Sequence, residues 1–289
     1  MGAVETAKAI GIVANRTKAS AERLTERLVA LIRKQGAEAL VERELAVAIG
    51  RPELGIGGEE FGGRADMLFV LGGDGTLLGA ARRYACHALP LLGINIGHLG
   101  FLSEAEPEDL DMAVHRVLEG DYFLERRLMI ETSVLRGGRA LHRGVGLNDA
   151  GVGKGSFARM IQVSVAVDGD DAIAFAGDGL IVSTPTGSTA YSLSCGGPIL
   201  LPHMQVMLIT PICAHQLVAR PFVIAGDQTV QIRVAADHRD IGLTVDGQVG
   251  FALESGDEVV IRRADCDTIL VRWKERAFFP ILREKLRGD

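Results

Sequence analysis

Cysteine is scarce and scattered: Cys86, Cys195, Cys213 and Cys266 form no Cys-x-x-Cys pair. That spacing argues against a disulfide framework and a structural zinc site, and it fits a reducing cytoplasm. None of the seven histidines stands in His-x-x-x-His or His-Glu-x-x-His spacing, so no protein-built transition-metal site is expected. No apolar run approaches the length needed to cross a bilayer. Glu5 and Lys8 interrupt the region where a secretory leader would place its apolar core. Positive charge is not in excess either. A formal net charge of −6 speaks against nucleic acid or an anionic membrane as the main partner, while leaving room for a local basic pocket. Internal repeats and low-complexity segments are missing as well. The expectation is a soluble cytoplasmic protein.

What is present supports a large core. The chain has 289 residues, 47% of them apolar and 24% charged, enough for two domains of ordinary size. Met67–Leu71 is a continuous apolar run, as expected of a strand buried on both faces. It ends in Gly72-Gly73-Asp74-Gly75-Thr76. The glycines let a ligand approach the main chain closely. Thr76 can cap a helix over 76–86, whose apolar positions are Leu77, Leu78, Ala81 and Tyr84. A helix N-terminus with free amides is a favourable place for phosphate. Asp74 is the anomaly, because a carboxylate beside a phosphate is unfavourable unless it takes a proton or binds a metal. The loop therefore suggests phosphoryl transfer with Asp74 as the base. Asp74-Gly75 alone reads equally as a turn, and the loop matches neither Gly-x-Gly-x-x-Gly nor a P-loop.

The first part of the chain alternates strands and helices. Strands are expected at Ala9–Val13, Ala39–Val41, Met67–Leu71 and Leu89–Ile94, and helices at Ser20–Gln35, 76–86 and Pro107–Leu118. The Ile49–Gly63 stretch, rich in glycine and acidic residues, reads as a loop. This pattern predicts an α/β N-terminal domain with a largely parallel sheet. Beyond about residue 125 the period becomes two: Val163–Val167, Ala172–Phe175, Val230–Val234 and Ile241–Val245, the last two joined by a polar turn at 236–240. Val259–Ile261 and Ile269–Val271 add short strands. This predicts a β-rich, antiparallel C-terminal domain. The domains are placed at 1–124 and 125–274, with a helical tail in 275–289 folding back onto the first.

A second motif runs from Asp178 to Pro198, with seven Ser or Thr residues between 183 and 194. Some must serve as turn hydroxyls, an account that suits Ser188 and Thr189. Tyr191 amid so many neutral hydrogen-bonding groups also suits a nucleoside-like ligand, since it offers a stacking face with a polar tip.

Gly72–Thr76, Asn95–Phe101, Asn148-Asp149 and Asp178–Pro198, in this order and spacing, resemble the NAD kinase family. The resemblance covers nearly the whole chain, including Thr210–His215, Ala219–Pro221 and Asp246-Gly247-Gln248. Gly-Gly-Asp-Gly-Thr is shared with diacylglycerol, sphingosine and, loosely, phosphofructokinases; the Ser/Thr-rich motif is far narrower. The resemblance implies ATP-dependent phosphorylation of the adenosine 2′-hydroxyl of NAD, giving NADP. It also implies an active site between the domains and Mg²⁺, or another divalent cation, carried largely by ATP. Asp74 would be the proton acceptor. Gly72, Gly73, Gly75, Thr76, Phe101, Asn148, Asp149, Arg159, Asp178, Thr186, Thr189, Ala190, Tyr191, Ser192, Leu193, Ser194 and Gln248 would bind NAD or nucleotide. A homodimer or homotetramer is implied too, with NAD and ATP as partners and neither nucleic acid nor membrane. Ala176 departs from the family, where an arginine often stands.

Without the resemblance these residues have plainer readings. Asn148-Asp149 would be an Asx-turn, Arg159 a surface charge, Gln248 a hairpin residue, Phe101 core and His98 structural. Two rival functions remain on the sequence alone. One is a lipid kinase using the same glycine loop; the other is a non-catalytic dinucleotide sensor, which would need no base at position 74.

Overall fold

The computed structural model describes residues 7–97, 100–155, 159–215, 219–275 and 277–286. The chain divides into two compact units, Met1–Arg126 with Thr268–Asp289, and Arg127–Asp267.

The first unit is built on a seven-stranded sheet in the order Gly55–Ile56, Glu38–Glu42, Ala9–Ala14, Met67–Leu71, Pro90–Ile94, Thr268–Arg272, Phe123–Arg127. Pairing is parallel from Gly55–Ile56 through Thr268–Arg272. Ala9–Ala14 and Met67–Leu71 are buried at every position, as a parallel sheet covered on both faces requires. Helix Ala21–Lys34 buries Ala21, Leu24, Leu28 and Ile32, the 3–4 spacing of an amphipathic helix. Gly36 follows it with φ +83.

Two expectations are corrected here. The Ile49–Gly63 stretch is not a plain loop: short helical turns at Pro52–Leu54 and Gly58–Glu60 flank the two-residue edge strand, and Phe61–Arg64 forms a helix. Buried Leu54, Ile56 and Phe61 anchor it, which its glycine and acidic content concealed. A helix at Arg43–Ala48 precedes it. The strand expected at Ile269–Val271 is not antiparallel; it pairs in parallel with Pro90–Ile94. All five residues of Thr268–Arg272 are buried, the signature of a central parallel strand rather than of an alternating one.

The second unit holds two six-stranded antiparallel sheets. One runs Asp170–Gly177, Ile161–Val167, Val230–Ala235, Glu258–Arg263, Ile130–Arg136, Arg139–Gly146; the other runs Phe222–Ala225, Val206–Ile212, Gly179–Ser183, Asp149–Lys154, Ile241–Val245, Val249–Leu253. Both sheets contribute to one core, with Val163, Val165 and Ile232 from the first and Val152, Leu180 and Leu243 from the second. The 236–240 segment is therefore not a hairpin turn. Val230–Ala235 and Ile241–Val245 lie in different sheets, and the segment carries the chain from one to the other.

Helix Phe278–Leu286 has no buried residue. No helix among the described residues is long and apolar enough to cross a membrane. Cys86 and Cys266 are disulfide-bonded, contrary to the reading from cysteine spacing, whereas Cys195 and Cys213 are free thiols.

Candidate functional site

In the first unit, strand Met67–Leu71 runs into helix Asp74–Tyr84 through Gly72 and Gly73. Asp74 is the first helical residue and Gly73 the N-cap, in extended backbone with no side-chain capping bond. Thr76 therefore does not cap the helix. It sits one turn in, its amide donating to the Gly73 carbonyl at 3.0 Å, and its side chain fills the space a Cβ on Gly72 would need. That contact makes glycine obligatory at position 72.

The Asp74 carboxylate accepts the backbone amides of Phe101 at 2.9 Å and Leu102 at 3.2 Å. A Cβ on Gly100 would fall on that carboxyl group. The motif around Asn95–Phe101 is thus partly a seat for Asp74. Arg272 holds the other side of the seat, donating to the carbonyls of Phe101 at 3.1 Å and Leu102 at 3.4 Å. Its guanidinium also pairs with the fully buried Glu104 carboxylate at 2.7 Å. Phe101 itself is half-buried rather than core. His98 lies outside the described residues.

In the second unit the hydroxyl-rich segment is largely self-satisfied. Thr184 Oγ1 donates to the Leu147 carbonyl at 2.6 Å, Ser188 Oγ to the Pro185 carbonyl at 2.7 Å, and Thr189 Oγ1 to the Thr186 carbonyl at 3.2 Å. Ser192 is fully buried and bonded to Thr210 at 2.7 Å. Arg127 Nη1 donates to Thr186 Oγ1 at 3.2 Å. Tyr191 and Ser194 are exposed, and Thr189, Ala190 and Leu193 are half-buried. The turn bearing Thr186 lies against Asn148, for a Cβ on Gly187 would strike the Asn148 backbone.

Asp178 and Tyr191 share a cavity of about 720 Å³ with Lys154, Asp240 and Ile212. Its floor is the outer face of the second sheet, made of Gly151, Gly153, Gly242, Thr244, Gly250 and Ala252. These positions alternate with Val152, Ile241 and Leu243, which point into the core, so the pleat itself sorts small residues outward. A floor without bulky side chains leaves a flat face on which a planar ring can lie. Lys154 Nζ stands 3.6 Å from Asp178 Oδ1. Burial pushes the Tyr191 hydroxyl up from its ordinary value. Arg159 is not part of this wall: its side chain is exposed and pairs with Asp237 at 3.5 Å. Gln248 is exposed in the Ile241–Leu253 hairpin.

Asp149 is buried, and burial, helped by the neighbouring Asp246, pushes its carboxyl up to about 7. The sequence reading missed Asp246, Lys154, Asp240 and Arg272 as contributors. Among the described residues no group of three or more His, Cys, Asp or Glu side chains could hold a metal ion.

Residues 10–122 match the ATP-NAD kinase N-terminal domain and residues 147–273 the ATP-NAD kinase C-terminal domain. The chain belongs to the NAD kinase family. It is 41% identical over 278 residues to the NAD kinase of Desulforamulus reducens, covering 96% of both chains. With the NAD kinase of Symbiobacterium thermophilum it is 44% identical over 277 residues, 96% of this chain and 98% of that one. Two solved structures share the fold. Yeast NADH kinase complexed with NADH matches with a TM-score of 0.88 at 22% identity, over 98% of this chain and 88% of that one. An NAD kinase from Archaeoglobus fulgidus in complex with ATP matches with 0.75 at 24% identity, over 97% and 99%. The protein is thus an enzyme of the NAD kinase family, a transferase that binds NAD(P) and ATP.

Proposed function

We propose that this protein phosphorylates NAD on the adenosine 2′-hydroxyl, using ATP with Mg²⁺, to give NADP and ADP. The hydroxyl oxygen attacks the γ-phosphorus, the bond from that phosphorus to the β-γ bridging oxygen breaks, and the hydroxyl proton passes to Asp74. The observation that carries this reading is the seat of Asp74. Its carboxylate is at the start of a helix, in a glycine loop, and fixed by the amides of Phe101 and Leu102. Each oxygen keeps accepting capacity after one such bond, so the group remains able to take a proton.

Phosphoryl transfer has a loose transition state, so positioning and charge neutralisation carry most of the catalysis. The backbone amides of the glycine loop and the adjoining helix N-terminus favour phosphate oxygens. The loop offers main-chain amides to phosphate oxygens and no cluster of carboxylates, which fits a Mg²⁺ held by the triphosphate and water and neutralising the triphosphate charge. In the second unit Asn148, Asp149, Thr189, Tyr191 and Asp178 would hold the dinucleotide, with the flat glycine-rich floor beside Tyr191 receiving a planar ring. We also infer a homo-oligomer, a dimer or tetramer, and a cytoplasmic location.

The test is a donor and acceptor panel. Purified protein with NAD, ATP and Mg²⁺ is expected to form NADP, and diacylglycerol or a sphingoid base is expected to remain unphosphorylated. NAD binding without product would defeat the reading in favour of a sensor.

A further inference from the structure

We propose that Asp246 is a positioning residue for Asn148 and Asp149: its carboxylate gathers three consecutive backbone amides and so fixes where both side chains stand. The inference rests on the reading above, in which those two side chains meet NAD.

Asp246 Oδ1 accepts the Asn148 amide at 2.7 Å and the Asp149 amide at 3.2 Å, and Oδ2 accepts the Leu147 amide at 3.2 Å. In return the Asp246 amide donates to the Asp149 carbonyl at 2.9 Å. Consecutive amides converging on one anion form a nest, and bonds to an ionised acceptor are about twice as strong as neutral ones. The opposite side of the same backbone is held by Thr184. Its hydroxyl donates to the Leu147 carbonyl at 2.6 Å and its amide to the Asn148 carbonyl at 2.9 Å. The Leu147–Asp149 backbone is therefore gripped on both sides, by residues 37 positions away in one case and 98 in another.

Local geometry supports the assignment. Asp246 has φ +51 and Gly247 φ +62, the left-handed pair of a tight hairpin turn that favours Asn-Gly or Asp-Gly. The turn by itself would accept asparagine; the three amides are better served by a carboxylate. Gly146 leaves room for the grip, because a Cβ there would approach Asp246 Oδ1 to 3.0 Å and Val245 Cγ1 to 2.7 Å.

The arrangement also couples the two carboxyls. The ionisable groups bearing on Asp149 are Asp246, on the hairpin, and the Cys195 thiol at the end of helix Tyr191–Ser194. Burial pushes that thiol up from its ordinary value, and the neighbour that raises the Asp149 carboxyl is Asp246. Removing it lets Asp149 ionise at lower pH.

Asp246→Asn keeps the turn and one acceptor oxygen but removes the charge. It is expected to raise KM for NAD roughly tenfold with a smaller change in kcat, and to move the pH midpoint of KM downward. Asp246→Ala is expected to raise KM by roughly a hundredfold. Should that variant fail to fold, Asp246→Asn decides. Wild-type KM and an unmoved midpoint in Asp246→Asn overturn the proposal, even if its melting temperature falls. Amide hydrogen exchange at Leu147, Asn148 and Asp149 reads the grip without substrate: faster exchange in Asp246→Asn supports it, and unchanged exchange overturns it. A wild-type protein that forms no NADP would defeat the enzymatic reading instead, leaving the exchange result to judge the grip.

Discussion

Asp74 and Phe101 are joined by a 2.9 Å hydrogen bond from the Phe101 amide to the Asp74 carboxylate. The residue assigned to take the proton and the ring assigned to the dinucleotide are thereby fixed to one another through the main chain. Moving either disturbs both.

Asp74→Asn keeps the size of the side chain but removes the base. It also turns an NH₂ group toward one of two amide donors, so one bond of the seat is lost. Turnover is expected to fall by roughly 10²–10⁴-fold, while NAD affinity, measured by titration calorimetry, stays within a few-fold of wild type. Near-wild-type turnover would remove Asp74 from the chemistry.

Gly100→Ala tests the seat while leaving Asp74 itself an aspartate. The added methyl group would occupy the position of the Asp74 carboxyl, forcing one of the two to move. A displacement of about 1 Å at a reacting group costs on the order of 10²-fold. Steady-state kinetics should show that loss in kcat, with a melting temperature close to wild type.

Arg272 should matter to stability more than its place near the chain end suggests. Its side chain is 8% exposed and that of Glu104 is 0%, and Glu104 also accepts the Trp273 amide at 2.9 Å. Arg272→Leu leaves a buried carboxylate without its cation, a change worth about 3–5 kcal/mol. Urea unfolding should report the loss, and adding Glu104→Gln should recover part of it.

The Asp149 carboxyl predicts an unusual pH dependence. An unfolded aspartate titrates near about 3.9, whereas in the fold burial and Asp246 push this one up to about 7. The folded state therefore binds the proton more tightly. The stabilisation is complete below the unfolded value and is lost as pH rises through about 7. Urea midpoints of wild type should fall between about pH 4 and pH 7 relative to Asp149→Asn. Parallel pH profiles for the two proteins would contradict the assignment.

Much of this was legible in the chain. The apolar run at Met67–Leu71 and the glycines after it gave the strand, the loop and Asp74, because a buried parallel strand and a close-approach turn both constrain residue type. The period-two strands gave the antiparallel unit. Other features depend on distant partners and left weaker marks. Asp246-Gly247 reads as an ordinary hairpin turn, and nothing local says that its carboxylate serves amides near 148. Thr76 looks like a cap, yet Gly73 takes that position because the chain leaves the strand in extended form. Residues 236–240 look like a hairpin turn because a crossing between sheets needs the same polar residues. Thr268–Arg272 was too short for its period to reveal that it is a central parallel strand. Five of the seven hydroxyls in the 183–194 segment, those of Thr184, Thr186, Ser188, Thr189 and Ser192, are bonded within the unit, which composition alone could not apportion.

In the proposed reaction the γ-phosphoryl group of ATP passes to the 2′-hydroxyl of NAD. Phosphorus NMR of the product formed from NAD and MgATP measures this directly. A monoester resonance assigned to the adenosine 2′-position, appearing in step with ADP, is the predicted result. Release of inorganic phosphate with NAD unchanged, or a phosphate on any other hydroxyl, would contradict it.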